Sequence, residues 1–164
     1  MILEAPLKAL SGTVEPGWID YNGHMSEAYY VLAMGLATDV VMDLIGLGPE
    51  HRAAQQTTLY TMESHIVYLC EVAAGEAYDV TTQLLAVDAK RFHIFHAMHH
   101  GHDGRLLATL EQIQMHVDMT GPKACPFPPA SAEALARIMA AHKGLPWPEQ
   151  AGRTVGLPER RGAA

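Results

Sequence analysis

The stretch Trp18-Ile19-Asp20-Tyr21-Asn22-Gly23-His24-Met25 carries more chemistry per residue than any other part of the chain. Asp20 places a carboxylate just before a turn, where it can attack an electrophilic carbonyl or take a proton from water. Asn22 can orient a water or the carbonyl, and His24 can donate or accept near pH 7. The backbone N–H groups of Gly23, His24 and Met25 lie at the entrance of a following apolar helix, where unpaired donors and the helix dipole favour developing negative charge. Gly23 lets an acyl group approach the backbone. The competing reading is structural: Asp20, Asn22 and Gly23 form an Asx turn and His24 is an exposed loop residue.

Other residues enter as candidates on weaker grounds. Glu63 falls early in a strand that should otherwise be buried, where an apolar wall would raise its pKa and make it a base for water; the alternative is an edge residue facing solvent. Strand parity sets His96 and His100 on one face with Phe92, Ile94 and Met98, and His93 and His99 on the other. That leaves no three-ligand cluster of zinc-like spacing, so no metal and no other cofactor is expected. Cys70 and Cys125 form no C-x-x-C pair and are expected to be reduced.

The elements that must position these residues follow from period and punctuation. Lys8 to Tyr21 reads as an edge strand and a sharp bend ending in the Asn22-Gly23 turn. Ser26 can cap a helix running to Leu44 or Ile45, where Gly46, Gly48 and Pro49 stop it. Tyr30, Val31, Met34, Val41, Met42 and Ile45 form one apolar face, and Leu32, Leu36, Val40 and Leu44 spread apolarity around the circumference, so the helix should be largely buried. Gly35 in its interior implies close approach of another element. From Thr57 the period changes to two, giving β segments near 57–72, 77–88, 91–100 and 106–118 that read as an antiparallel meander. Wrapping this sheet around the long helix gives an α+β fold. After Pro126-Phe127-Pro128-Pro129 come a short helix, Ser131 to His142, and a Gly- and Pro-rich tail; the expected division is 1–129 and 130–164.

Composition bounds the rest. A chain of 164 residues, 49% apolar and 18% charged, is one folded domain. A net charge of −7 argues against nucleic acid or an anionic lipid surface as partner. The longest apolar stretch, Tyr29 to Val41, falls short of the roughly 20 residues of a membrane span. The opening MILEAPLKAL lacks a cationic leader before an apolar core, so a cytoplasmic address is expected.

The octapeptide and the apolar helix after it resemble the hotdog-fold acyl-CoA thioesterases, whose plant acyl-carrier-protein relatives carry a similar Asp-x-Asn-x-His pattern. The resemblance covers residues 10 to 128. It continues in Glu63-Ser64-His65-Ile66-Val67-Tyr68-Leu69, in Val72-Ala73-Ala74-Gly75-Glu76 where the family turns between strands, and from His116-Val117-Asp118 to Pro126-Phe127-Pro128. The fuller run WIDYNGHM with AKRFHIFHAMHH is most similar to the small thioesterases associated with carnitine breakdown, which act on betainyl-CoA.

The resemblance implies a curved antiparallel sheet wrapped around one long helix and hydrolysis of an acyl-CoA. It implies a homodimer or tetramer with the acyl-CoA groove between chains. By the same resemblance Asp20, Asn22, His24 and Glu63 are the catalytic candidates, because the plant relatives have a functional acid in a strand comparable to that of Glu63. Lys90 and Arg91, at a turn, could meet a CoA phosphate or the pantetheine arm. A trimethylammonium acyl group calls for aromatic faces, and Trp18, Tyr21, Tyr29, Tyr30 and Tyr60 lie on segments expected to converge near Asp20. Two alternatives stay open: a hydratase or dehydratase of acyl thioesters on the same fold, and an acyl-CoA binder without turnover.

Overall fold

The computed structural model describes residues 4–157. A first strand, β1 (Leu7–Thr13), leads through a 3-10 turn (Pro16–Trp18) into α1 (Glu27–Leu44) and α2 (Pro49–Gln55). Four long or medium strands follow: β2 (Thr57–Tyr68), β3 (Ala77–Val87), β4 (Arg91–His100) and β5 (Leu106–Asp118). The short β6 (Lys123–Ala124) and α3 (Pro129–His142) complete the elements. All strand pairings are antiparallel, in the order β1-β3-β4-β5-β2, with β6 beside β5. The expected α+β hotdog arrangement, a curled sheet against one long helix, is present.

The meander is only partly as expected. β3, β4 and β5 follow one another, but β2 crosses to the far side and pairs with β5. Its link to β3, residues 69–76, therefore runs across the end of the sheet. Leu69 and Cys70 both donate their N–H to Leu107 O, and farther along Gly75 N–H donates to Val14 O beside β1. The strand expected to reach residue 72 thus ends at Tyr68, because the next two donors, Leu69 and Cys70 N–H, converge on the single carbonyl of Leu107 in β5 and the ladder cannot advance.

α1 begins where Ser26 was expected to cap it, although the Ser26 hydroxyl makes no capping bond. The helix is not buried all round. Tyr30, Ala33, Met34, Ala37, Thr38 and Val41 face the sheet, whereas Leu32, Leu36, Val40 and Leu44, an i, i+4 row, are each 41–46% exposed. Nor does another element approach Gly35, since a Cβ there would meet nothing within 4 Å. α1 ends at Leu44, as expected, and Pro49 then opens a further helix, α2, at whose first turn its missing N–H costs nothing and Glu50 suits the dipole.

The core is divided by a polar layer. At one end α1 packs Tyr30, Met34 and Ala37 on Val80, Met98 and Leu110; at the other, Val41 and Ile45 meet Phe92, Ile94, Leu135 and Ile138. Between them the fully buried His96 is held by Thr82 Oγ1 at Nδ1 (2.8 Å) and Thr38 Oγ1 at Nε2 (3.0 Å). Thr38 also donates to Gln112 Oε1 (3.3 Å), and Gln112 donates to Ser64 Oγ at the β2 edge (3.1 Å). Desolvation pushes the His96 pKa down to about 3, so the ring is neutral and forms a structural link between helix and sheet. The histidine parity expected for β4 holds: His96 and His100 are buried with Phe92, Ile94 and Met98, while His93 faces the other way and meets Glu111 Oε1 at 2.6 Å.

Candidate active site

The turn between the 3-10 segment and α1 is fixed almost wholly by its backbone. Asp20 N–H donates to His24 O and Gly23 N–H to Asp20 O, both at 3.0 Å, closing a tight loop whose left-handed Gly23 (φ +82°) favours glycine. Met25 N–H donates to Val72 O (2.9 Å) and Ser26 N–H to Trp18 O (2.8 Å). The loop is thereby pinned between the crossing link 69–76 and the start of α1.

Within it Asn22 N–H donates to Asp20 Oδ1 at 2.7 Å, and Asn22 Nδ2 lies 3.4 Å from Oδ2. The Asx turn is therefore real, and it serves to orient the carboxylate, whose remaining lone pairs stay open on a partly exposed side chain. Of the three N–H groups expected to face an oxyanion, those of Gly23 and Met25 are committed inside the chain. Among the described residues His24 N–H has no such acceptor, so it is the donor of the three that can point at developing charge. The His24 ring is half-exposed, with Nδ1 3.6 Å from Glu71 Oε2.

The five aromatic candidates separate. Trp18 stacks on Tyr29 at 5.4 Å and tilts against the buried Tyr78 at 6.3 Å, beside the Asp20 loop. Tyr30 is buried under the start of α1, its hydroxyl donating to Cys70 O (3.3 Å) and its ring edge-on to Tyr68 at 5.5 Å. Burial raises the Tyr30 phenol pKa, and the Glu71 carboxylate adds to the rise. Tyr21 is 97% exposed and touches no wall. Tyr60 pairs with Met115 on the face of the sheet turned away from α1.

Glu63 belongs with Tyr60, not with Asp20. A bulge between Thr61 and Glu63 inserts Met62, so Thr61 still reaches the Gln114 side chain under α1 while Glu63 is set opposite Ile113 on the outer face. There it is exposed and lines a cleft of ≈ 580 Å³ with Met62, Arg91, His93, Ile113 and Met115. Of the two readings of Glu63, the one that faces solvent holds, and that one extra residue is the cause.

Lys90 and Arg91 sit at the β3–β4 turn, as expected, but Asp88 holds Arg91 at Nη2 (2.7 Å) and Nε (2.8 Å). Lys90 is exposed, and among the described residues it has no ion-pair partner. This turn lies at the end of the sheet opposite the Asp20 loop, separated from it by the ten residues of β4, roughly 33 Å.

Residues missed from the sequence gather at the loop. Tyr68, Glu71 and Glu27 line an open depression of ≈ 370 Å³ with Met25 and Tyr30. The change from alternating residues to Leu69-Cys70-Glu71 was the available signal that the strand stops at Tyr68 and turns toward His24.

Three comparisons bear on this geometry. A sequence model of the family described as the Thioesterase-like superfamily matches residues 14–135. The chain is 45% identical over 151 residues to a betainyl-CoA thioesterase of Pseudomonas aeruginosa, covering 90% of this chain and 93% of that protein. It is 41% identical to an L-carnitine dehydrogenase/betainyl-CoA thioesterase of Agrobacterium fabrum, covering 94% of this chain but 32% of that longer protein. A Staphylococcus aureus protein solved in complex with CoA superposes with a TM-score of 0.89 at 28% identity, over 96% of this chain and 98% of that one.

Proposed function

Because the chain belongs to the thioesterase-like superfamily, we propose that it hydrolyses betainyl-CoA to glycine betaine and free CoA, with the Asp20 carboxylate doing the chemistry. The observation that carries the substrate is the 45% identity to a betainyl-CoA thioesterase across nearly the whole of both chains. The geometry supports the roles. Asn22 fixes the direction of the Asp20 carboxylate, His24 N–H faces the carbonyl oxygen as it gains charge, and the CoA sulfur leaves as a thiolate.

Two courses serve the carboxylate. It adds to the carbonyl carbon and forms an anhydride that water then opens, or it takes a proton from the water that adds. Trapping with hydroxylamine during a single turnover separates them, because only direct attack forms an acyl anhydride on Asp20 that the trap can intercept. CoA release from a panel of thioesters tests the reading itself. Turnover of betainyl-CoA above neutral and long-chain esters is expected; binding without release would overturn it, as would hydration of an enoyl-CoA.

The site is completed by a second copy of the chain. β2 is paired on one edge only, Tyr68 and Leu69 are exposed at its end, and α1 carries the exposed row Leu32, Leu36, Val40 and Leu44. Antiparallel pairing of two β2 edges about a two-fold axis sets the Tyr68 end of one strand beside the Thr57 end of the other. That brings Lys90 of the partner subunit toward this chain's Asp20 loop, where a CoA phosphate needs a cation.

Fusion of the thioesterase to an L-carnitine dehydrogenase in the Agrobacterium relative supports a place in carnitine breakdown. A cytoplasmic location fits the free thiols of Cys70 and Cys125.

A further inference from the structure

We infer that Tyr68 and Glu71, with Glu27 behind them, form the seat that recognises the trimethylammonium group of the substrate. The inference rests on the betainyl-CoA reading and assigns its selectivity to particular side chains.

The substrate itself limits where such a seat can be. In a betainyl thioester two bonds separate the carbonyl carbon from the quaternary nitrogen, a span of about 2.5 Å. The cation must therefore be met at the wall of the Asp20 loop and not in a remote pocket. The depression lined by Tyr30, Tyr68, Glu27 and Glu71 abuts that loop through two contacts, Met25 N–H on Val72 O and the His24 ring on Glu71.

Its chemistry suits a cation that cannot donate a hydrogen bond. Such a group is held by ring faces and by nearby negative charge. Tyr68 is 44% exposed and is fixed by its hydroxyl, which donates to Glu27 O (3.2 Å), and by the edge-on Tyr30. Trp18 is committed on its two sides to Tyr29 and Tyr78, Tyr21 stands free in solvent, and Tyr60 is on the outer face. Tyr68 is thus a fixed ring beside the loop, with its open surface turned to the side where the second chain is proposed to dock.

Two carboxylates flank it. Among the described residues neither Glu27 nor Glu71 has a Lys or Arg within ion-pair distance, and Glu71 meets only the His24 ring. The rise in the Tyr68 phenol pKa, caused by burial and then by the Glu27 charge, agrees with a negative field at this spot. A fatty acyl chain gains nothing from that field, whereas a permanent cation does.

The test compares kcat/KM for betainyl-CoA with that for its neutral isostere, 3,3-dimethylbutyryl-CoA, in the wild type, Tyr68→Leu, Tyr68→Phe and Glu71→Gln. The ratio should fall roughly 2- to 30-fold in Tyr68→Leu and in Glu71→Gln, and stay near the wild-type value in Tyr68→Phe, which keeps the ring. Each protein is its own control for folding, because only the ratio is read. Should Tyr68→Leu not fold, the exposed Glu71→Gln decides alone. A wild-type ratio near one would overturn the substrate reading. A high wild-type ratio unchanged in Tyr68→Leu and Glu71→Gln would overturn the seat and leave the substrate reading standing.

Discussion

Replacing Asp20 by Asn removes the charge and the basicity of the carboxylate while leaving its shape. The structure indicates what survives. The amide oxygen of the new side chain can accept the Asn22 N–H that now reaches Asp20 Oδ1 at 2.7 Å, and the backbone bonds between Asp20, Gly23 and His24 do not involve the side chain. What is lost in stability is the charge assistance of one hydrogen bond on a partly exposed group, about 1 kcal/mol or less, or some 2–4 °C in Tm for a chain of this size. Turnover should fall far more. Loss of a positioned base costs at least ~10²-fold, which corresponds to about 2.7 kcal/mol of barrier. CoA thiol release and a thermal melt on the same preparation separate the two effects. Asn22→Ala supplies the contrast, because its backbone N–H still donates and only the 3.4 Å amide contact disappears, so kcat should stay within ~10-fold of normal. Near-normal kcat in Asp20→Asn would refute the role given to the carboxylate.

Other consequences are open to direct measurement. His96 is neutral in the folded chain with its pKa lowered to about 3, so unfolding favours its protonation below the ordinary value of 6.5. Its stabilising effect is whole above that value and declines as the pH falls toward 3, by about 2 kcal/mol at pH 5; urea midpoints flat between pH 7.5 and 5 would contradict this. Leu36→Asp charges the exposed row of α1 and should give monomers by sedimentation with little activity, whereas an active monomer would refute the two-chain site. Inactive Asp20→Asn and Lys90→Glu homodimers, mixed and reassembled, should regain about a quarter of wild-type activity, because half the dimers would carry one intact site. No recovery would refute the assignment of Lys90 to the partner's site.

Much of the fold was legible because its signals are local. The start of α1 after Ser26, the bounds of β4 and β5, and the faces of the β4 histidines all follow from caps and from a period of two. The failures have physical causes as specific. Pro49 both terminates and initiates helices, and only the following Glu50-His51-Arg52 shows which. The apolar girth of α1 announces burial without saying by what, and one row of it stays exposed in the single chain. Thr61 faces the helix side, and a one-residue bulge that no sequence period announces sends Glu63 to the opposite face. The Asp20 loop was readable as a carboxylate beside backbone donors. Which donors remain free was not, because the acceptor for Met25 N–H comes from Val72, 47 positions along the chain.

The departure from a simple meander is what builds the site. Had β2 paired with β3 as its neighbour, a tight turn would join them, and no backbone would cross the end of the sheet to receive Met25 N–H or to bring Glu71 to His24. Moving β2 to the β5 side makes residues 69–76 span that end, which pins the Asp20 loop and supplies the acidic wall beside it. The same move leaves β2 with one open edge and Tyr60, Met62 and Tyr68 exposed along it. One topological choice therefore pins the Asp20 loop, sets Glu71 beside it and leaves the open strand edge on which the proposed second chain would pair.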